Sequence, residues 1–356
     1  MTTPTVSVVM SVFNGERFLP EAIVSILDQR FKDFEFIIID DGSTDRSASI
    51  LDSYQNSDSR LRVFHEQHAG LVNSLNRGCA LAQGKYLGRM DADDVASIDR
   101  LALQVDYLEL HKEIGVLGGT VEWIDADGKS LGTYPYPFED AEIKTELLRR
   151  CAMWHPTILL RREVLAWAGG YRHIVGAEDY DLWLRVARQF QLANLETVIL
   201  KYRIHPQQVS MHLKMKQVLG TIAVQVAAQR RMEGLPDPLD NVKEITPETL
   251  VAWGISLSEQ RNEFVSECRR WSRLMCMAGE YTTALKADQE VLKGCVEGVE
   301  RWQIADLHLT VAQLLWREGR VLSSATYLAR ALLTRPLLIG HLLKRSLKGT
   351  LHNSQA

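Results

Sequence analysis

The chain has 356 residues, 46% of them hydrophobic and 24% charged, with a formal net charge of −4. That length holds one large domain plus a smaller one, the composition is that of an ordinary globular protein, and the charge excludes a global attraction to nucleic acid. Five cysteines without a CxxC pair give no zinc signature and fit a reducing compartment; with neither a basic leader nor a bilayer-length apolar run, the expected location is cytoplasmic.

The first third alternates strands and helices. "TVSVVMSVF" (5–13) is β-branched and apolar, as in a strand buried on both faces, and "NG" at 14–15 breaks it. Leu19, Ile23 and Ile26 then recur at helical spacing to about Arg30. "FEFIIID" (34–40) predicts a second buried strand, and "DGSTD" a turn rich in capping residues before a short helix near Ser47–Tyr54. "LRVFH" (61–65) predicts a third strand, and Leu71, Leu75 and Ala82 a further helical face. "KYLGRM" (85–90) is the fourth strand, followed at once by "DADD". This alternation predicts an α/β fold with a mostly parallel sheet flanked by helices. Both acidic clusters then fall at the carboxyl ends of strands, where such sheets gather ligands.

Asp91, Asp93 and Asp94 crowd like charges into four positions. Such a cluster suits Mg²⁺ or Mn²⁺, which take one or two carboxylates together with phosphate oxygens. The plainer alternative has Asp94 and Ser97 capping a helix that starts near Ile98. A second DxD, Asp125 and Asp127 in "WIDADGKSL", is explained by a hairpin turn at Asp127-Gly128 and is assigned no metal. Asp40 and Asp41 suit either the imide N–H of a base or the capping of the next helix. In "GAEDYDLWLRVARQF" (176–190), Leu182, Val186 and Phe190 share a helical face, which puts Glu178 and Asp179 at the helix start. There they complement the helix dipole, or Asp179 serves as a general base. No GxGxxG follows the first strand, which excludes the dinucleotide fingerprint, and the acids do not follow the pattern of a receiver domain.

Together these segments resemble the family 2 glycosyltransferases, inverting enzymes with the Rossmann-like GT-A fold. The resemblance is carried by "VSVVMSVFNGERFLPEAIVSILDQRFKDFEFIIIDDGSTDRS", "NRGCALAQGKYLGRMDADD", "DRLALQVDYLELHKEIGVLGG", "HPTILLRREVLAWAGGYR", "AEDYDLWLR" and "YRIHPQQVS", over about residues 4–212. It implies a nucleotide-sugar donor, UDP-linked by default, and a glycan or lipid-linked acceptor in cell-surface polysaccharide synthesis. It also implies a divalent cation, Mn²⁺ or Mg²⁺. By the same resemblance Asp40, with Asp41, contacts the base, and Ser11, Val12, Phe13 and Glu16 form the nucleotide-contacting end of the first strand. Asp93 binds the metal while Asp91 lies near it and the donor sugar; Asp179, with Glu178 beside it, is the catalytic base. His205 approaches the diphosphate or the metal, or serves a loop; Trp154 and His155 border the acceptor cleft or pack under the sheet. A non-catalytic GT-A-like scaffold with a partner-binding helical domain is the alternative, and a nucleotidyltransferase is disfavoured by the "ED" helix.

The expected catalytic domain spans residues 1–219 and a helical C-terminal domain 220–356. "GLPDPLD" (234–240) predicts a linker or loop. Beyond it, Gly279 and Gly319 each divide a pair of helices, weakly similar to tetratricopeptide hairpins. From Val321 to Ala356 there is no Asp or Glu, whereas Arg330, Arg335, Lys344, Arg345 and Lys348 are basic. The stretch "LLIGHLLKRSLK" therefore fits peripheral contact with an anionic membrane face and fits equally a core helix with a solvated basic side.

Overall fold

Strand β1 (Val6–Val12), helix α1 (Leu19–Leu27), strand β2 (Phe34–Asp40), helix α2 (Ser47–Ser57), strand β3 (Leu61–His65), helix α3 (Leu71–Leu81) and strand β4 (Tyr86–Met90) alternate as the sequence predicts. They come from a computed structural model that describes residues 3–207 and 211–336. Every residue of β2 and β4 is buried, which is why both read as unbroken apolar runs. Helix α1 buries Leu19, Ala22, Ile23 and Ile26, one stripe at helical spacing. Gly78 lets α3 lie flush on the sheet, because a Cβ there would stand 2.5 Å from Val9 Cγ1.

The chain continues through β5 (Val95–Ala96), α4 (Arg100–Leu110), β6 (Ile114–Ile124), β7 (Ser130–Tyr134), α5 (Asp140–Leu147), β8 (Leu159–Arg161), α6 (Arg162–Ala168), α7 (Glu178–Val186) and β9 (Gln191–Arg203). The sheet order is β3-β2-β1-β4-β8-β6-β9-β5, with β7 paired to β6. Strands β1 to β4 pair in parallel, as their alternation with helices requires. Beyond them the sheet is mixed: β8 is antiparallel to β4 and β6, and β5 to β9, while β6 and β9 are parallel. The second DxD does sit in the β6–β7 hairpin turn, where Asp125 Oδ1 accepts from the Asp127 and Lys129 amides at 3.0 and 2.9 Å.

Helices α8 (Met211–Met232), α9 (Pro247–Ala252), α10 (Leu257–Met277), α11 (Tyr281–Gly294), α12 (Arg301–Arg317) and α13 (Val321–Thr334) follow. The chain forms two compact units: the first comprises Met1–Ile204 with Ala223–Val242, and the second begins with His205–Ile222 and resumes at Lys243. In the second unit, reciprocal capping boxes at Thr246/Thr249 and Ser256/Glu259 start α9 and α10. Gly279 and Gly319, at φ +81° and +74°, make the turns that end α10 and α12. The basic stretch from Lys344 to Lys348 lies outside the described residues. No helix among the described residues is long and apolar enough to cross a membrane.

Between α10 and α11, Asp288 is 1% exposed and accepts from the Ser272 hydroxyl at 2.9 Å, while its Oδ1 has no hydrogen-bond partner. Burial pushes this carboxyl from its ordinary 3.8 up to about 7. Its contribution to stability is therefore full below 3.8 and is lost as the pH rises through about 7. Unfolding of the protein monitored by circular dichroism should show stability falling across that window by on the order of 1–3 kcal/mol. Asp288→Asn should flatten the slope; an unchanged slope in the variant would discard this account.

Candidate active site

Parallel pairing decides where the acids go. In β1, Val12 is level with Asp40 of β2, and Met10 is level with Met90, the residue before Asp91. With β1 between them, the ends of β2 and β4 stand two strand steps apart, roughly 10 Å. Asp40 and the DADD loop thus leave the same edge of the sheet.

The DADD loop is a cluster backed by buried arginines. Carboxylate oxygens of Asp91, Asp93 and Asp94 lie within 4.8 Å of one another. Arg89, 5% exposed, pairs with Asp91 through Nη1. Arg100, fully buried, donates to the Arg89 carbonyl at 2.7 Å. Burial, followed by the charges of Asp93 and Asp91, lifts Asp94 well above the usual carboxylate range. Burial likewise raises Asp91, helped by Asp93 and opposed by Arg89. Asp94 does not cap a helix: its Oδ1 accepts from the Arg203 amide at 2.9 Å, and α4 begins later, at Arg100. Its Oδ2 is buried without a hydrogen-bond partner. An all-oxygen donor set with surplus negative charge and one orphaned oxygen fits a hard divalent cation.

Glu178 and Asp179 open α7, where the unpaired amides of a first turn favour carboxylates. Asp179 Oδ1 accepts from the Tyr180 amide at 2.7 Å. Burial pushes Asp179 up to about 6; the Tyr180 amide and Arg89 pull it down, and Asp91 pushes it up. Burial raises Glu178 to about 7, with Asp179 adding to the rise and Arg89 opposing it. The guanidinium of Arg89 therefore acts on the acids of both β4 and α7. The charge of Asp179 also reaches Tyr136, Cys151 and Tyr171.

At the end of β2, Asp40 and Asp41 have separate partners. Asp40 Oδ1 accepts from the Ser43 amide at 3.0 Å and its Oδ2 meets His65 Nδ1 at 2.8 Å, which raises the histidine's pKa. Asp41 reaches past the next helix and accepts from the Ala69 and Gly70 amides at 2.8 and 3.0 Å, just before α3. Gly42 adopts φ +74°, and a Cβ there would stand 2.8 Å from the His68 amide, so "DDG" needs its glycine. Phe13, 50% exposed, lies against His68 with ring centroids 4.3 Å apart. Glu16 is engaged by Arg46 through its amide and side chain, at 3.0 and 3.1 Å.

The structure thus gathers Asp91 and Asp93 with Asp94, and sets Asp179 and Glu178 in the same electrostatic neighbourhood through Arg89. Ser11, Val12, Phe13, Asp40 and Asp41 lie at the adjoining strand ends. His205 opens the second unit and is buried. His155 is buried and bonded to the Tyr171 hydroxyl at 2.9 Å, and burial holds it well below the usual histidine range. Trp154 donates to the Tyr134 carbonyl at 3.1 Å and stacks on Tyr136 at 4.8 Å.

Two sets of residues escaped the sequence reading. Arg89 and Arg100 look like ordinary strand and helix positions in "GRM" and "DRL". Asn14, at φ 53°, accepts from the Thr44 amide at 2.7 Å, while the Gly15 amide donates to Ser47 Oγ at 2.9 Å. These bonds brace the β1–α1 loop against the β2–α2 loop; an Asn directly after a strand was the available signal.

Residues 7–166 match the family described as Glycosyl transferase family 2. An uncharacterised glycosyltransferase of Methanocaldococcus jannaschii is 34% identical over 209 residues, 57% of this chain and 72% of its own length. The Escherichia coli O-antigen biosynthesis glycosyltransferase WbnJ is 31% identical over 204 residues, 56% of this chain and 80% of its own. The fold is shared with the mannosyltransferase PcManGT of Pyrobaculum calidifontis in complex with GDP-Man and Mn²⁺, at TM-score 0.51 and 17% identity, covering 94% of this chain and 87% of that one. It is shared equally with S. aureus TarS 1–349 in complex with UDP-GlcNAc, at TM-score 0.50 and 16% identity, covering 91% and 90%.

Proposed function

The chain belongs to glycosyltransferase family 2, and from that premise we propose that it transfers a sugar from a nucleoside-diphosphate donor to a saccharide hydroxyl with inversion. The observation that carries this reading is the guanidinium of Arg89, which pairs with Asp91 in the acid cluster after β4 and whose charge also favours the ionised forms of the carboxylates that open α7. The donor and the cation are supported by the GDP-Man, Mn²⁺ and UDP-GlcNAc in the complexes of the two proteins that share the fold. The acceptor is a glycan or lipid-linked saccharide, in line with the O-antigen role in the name of WbnJ.

Asp93 and Asp94, with the remaining oxygen of Asp91, would hold the cation. When bound, it supplies positive charge against the departing diphosphate. The exposed face formed by Phe13 and His68 offers a surface for a flat base, with Asp41 paired to His68 Nδ1 at 2.9 Å and Asp40 ending the adjoining strand level with Val12. Asp179 accepts the acceptor's proton as that oxygen bonds to the anomeric carbon and the bond to the diphosphate oxygen breaks. One displacement from the opposite face inverts the configuration without a covalent sugar on the protein.

Release of nucleoside diphosphate, measured over a panel of UDP- and GDP-sugars with and without Mn²⁺, tests the reading. Metal-dependent release from at least one donor is expected, and EDTA should abolish it. Silence across the panel would leave the fold as a scaffold only.

A further inference from the structure

We propose that Arg203, in "YRIH", is a positioning residue that holds the cation seat against the donor-nucleotide loop; this rests on the reading above. Arg203 ends β9 and is 2% exposed. Its Nε donates to the Asp93 carbonyl at 2.8 Å, and Nη1 donates to the carbonyls of Asp125 and Ala126 at 3.3 and 3.2 Å. Nη2 meets Glu21 Oε2 at 2.6 Å, and the guanidinium lies 4.6 Å from the centre of the Phe18 ring. The Arg203 amide also donates to Asp94 Oδ1 at 2.9 Å.

One residue therefore joins three segments that sequence keeps far apart. The first is the acid loop, seized at the Asp93 peptide and the Asp94 carboxylate. The second is the β6–β7 turn, whose DxD contributes main-chain carbonyls rather than ligands. The third is the start of α1, which follows directly on the 13–16 loop next to the donor's base. The bond to the Asp93 carbonyl fixes the peptide from which the Asp93 side chain departs. The amide bond to Asp94 Oδ1 turns that carboxylate so that Oδ2 is the oxygen left without a partner. A planar fork with several donors can do this at one point, whereas an ammonium group cannot. A fixed seat costs the cation less ordering when it binds.

Mn²⁺ binding tests the proposal without turnover. Wild type, Arg203→Met, Arg203→Lys and Glu21→Gln are titrated with Mn²⁺ by electron paramagnetic resonance, with UDP or GDP, whichever wild type binds more tightly. Melting curves are recorded in parallel. Arg203→Met should raise the Mn²⁺ half-saturation by about tenfold, the loss expected for one charged hydrogen bond, with Arg203→Lys between it and wild type. A merely structural role would lower the melting temperature and leave the half-saturation of the folded protein unmoved, and that result overturns the proposal. Should Arg203→Met not fold, Glu21→Gln at the exposed end of the network decides: a weaker Mn²⁺ response supports the proposal and an unchanged one overturns it. A wild type without saturable Mn²⁺ binding overturns the proposed function as well, whereas variants that match a binding wild type overturn this inference alone.

Discussion

Asp179→Asn should lower kcat by about 10²–10⁴-fold, the usual worth of a positioned general base, and leave donor binding unchanged. The amide side chain has nearly the same shape, and its carbonyl can still accept from the Tyr180 amide, which now bonds Asp179 Oδ1 at 2.7 Å. Folding and the first turn of α7 should therefore survive. What disappears is the ability to take a proton. The pH dependence sharpens the test. Burial lifts Asp179 from 3.8 to about 6, so the base is disarmed by protonation as the pH falls through that value. Wild-type kcat/KM should rise with pH through about 6 and then level off. A cation in the acid cluster would move this limb lower, because positive charge favours the carboxylate. The residual activity of the Asn variant should lack the limb. A variant with wild-type kcat, or with the limb intact, would remove Asp179 from the role of base.

The parts of this site that were legible in the sequence are those in which one short stretch does one job. "FEFIIID" and "KYLGRM" announce buried strands because burial on both faces forces an unbroken apolar run, and the acids after them stand where a parallel sheet ends. Position along the chain could also be read for Glu178 and Asp179, because helical spacing from Leu182 dates the start of α7. Asp94 was open to misreading because an acid a few residues ahead of a helix has the local appearance of a cap. Its real partner, the Arg203 amide, is 109 residues away. Arg89 and Arg100 were invisible for the same reason: a guanidinium buried under a strand end cannot be told from a surface one until the fold places carboxylates over it. The antiparallel half of the sheet was equally hidden, since β8 has three residues and β5 two, too few to show a period. Asp41 differs again. As one of an acid pair at a strand end it suited the capping of the next helix or contact with a base, whereas its carboxylate binds the Ala69 and Gly70 amides just before α3, because the β3–α3 loop passes within reach of it.

Asp93→Ala should move stability and function in opposite directions. Metal-dependent donor binding should fall by more than the roughly 10–100-fold that loss of an outer-shell partner costs, measured by calorimetry with Mn²⁺ and the nucleotide. In the absence of metal, the same variant should melt higher. The charge of Asp93 contributes to the elevation of both Asp91 and Asp94, so deleting it relieves repulsion between like charges. An acid cluster kept for packing or capping would behave otherwise, losing stability when one member is removed. A carboxylate cluster that is more stable with a member missing is retained for something the folded chain alone does not need. On the proposed function, that is the positive charge that a departing diphosphate requires. Unchanged Mn²⁺-dependent donor titration in Asp93→Ala would break the link between this loop and the leaving group. A lower melting temperature without metal would show instead that Asp93 is held for the fold.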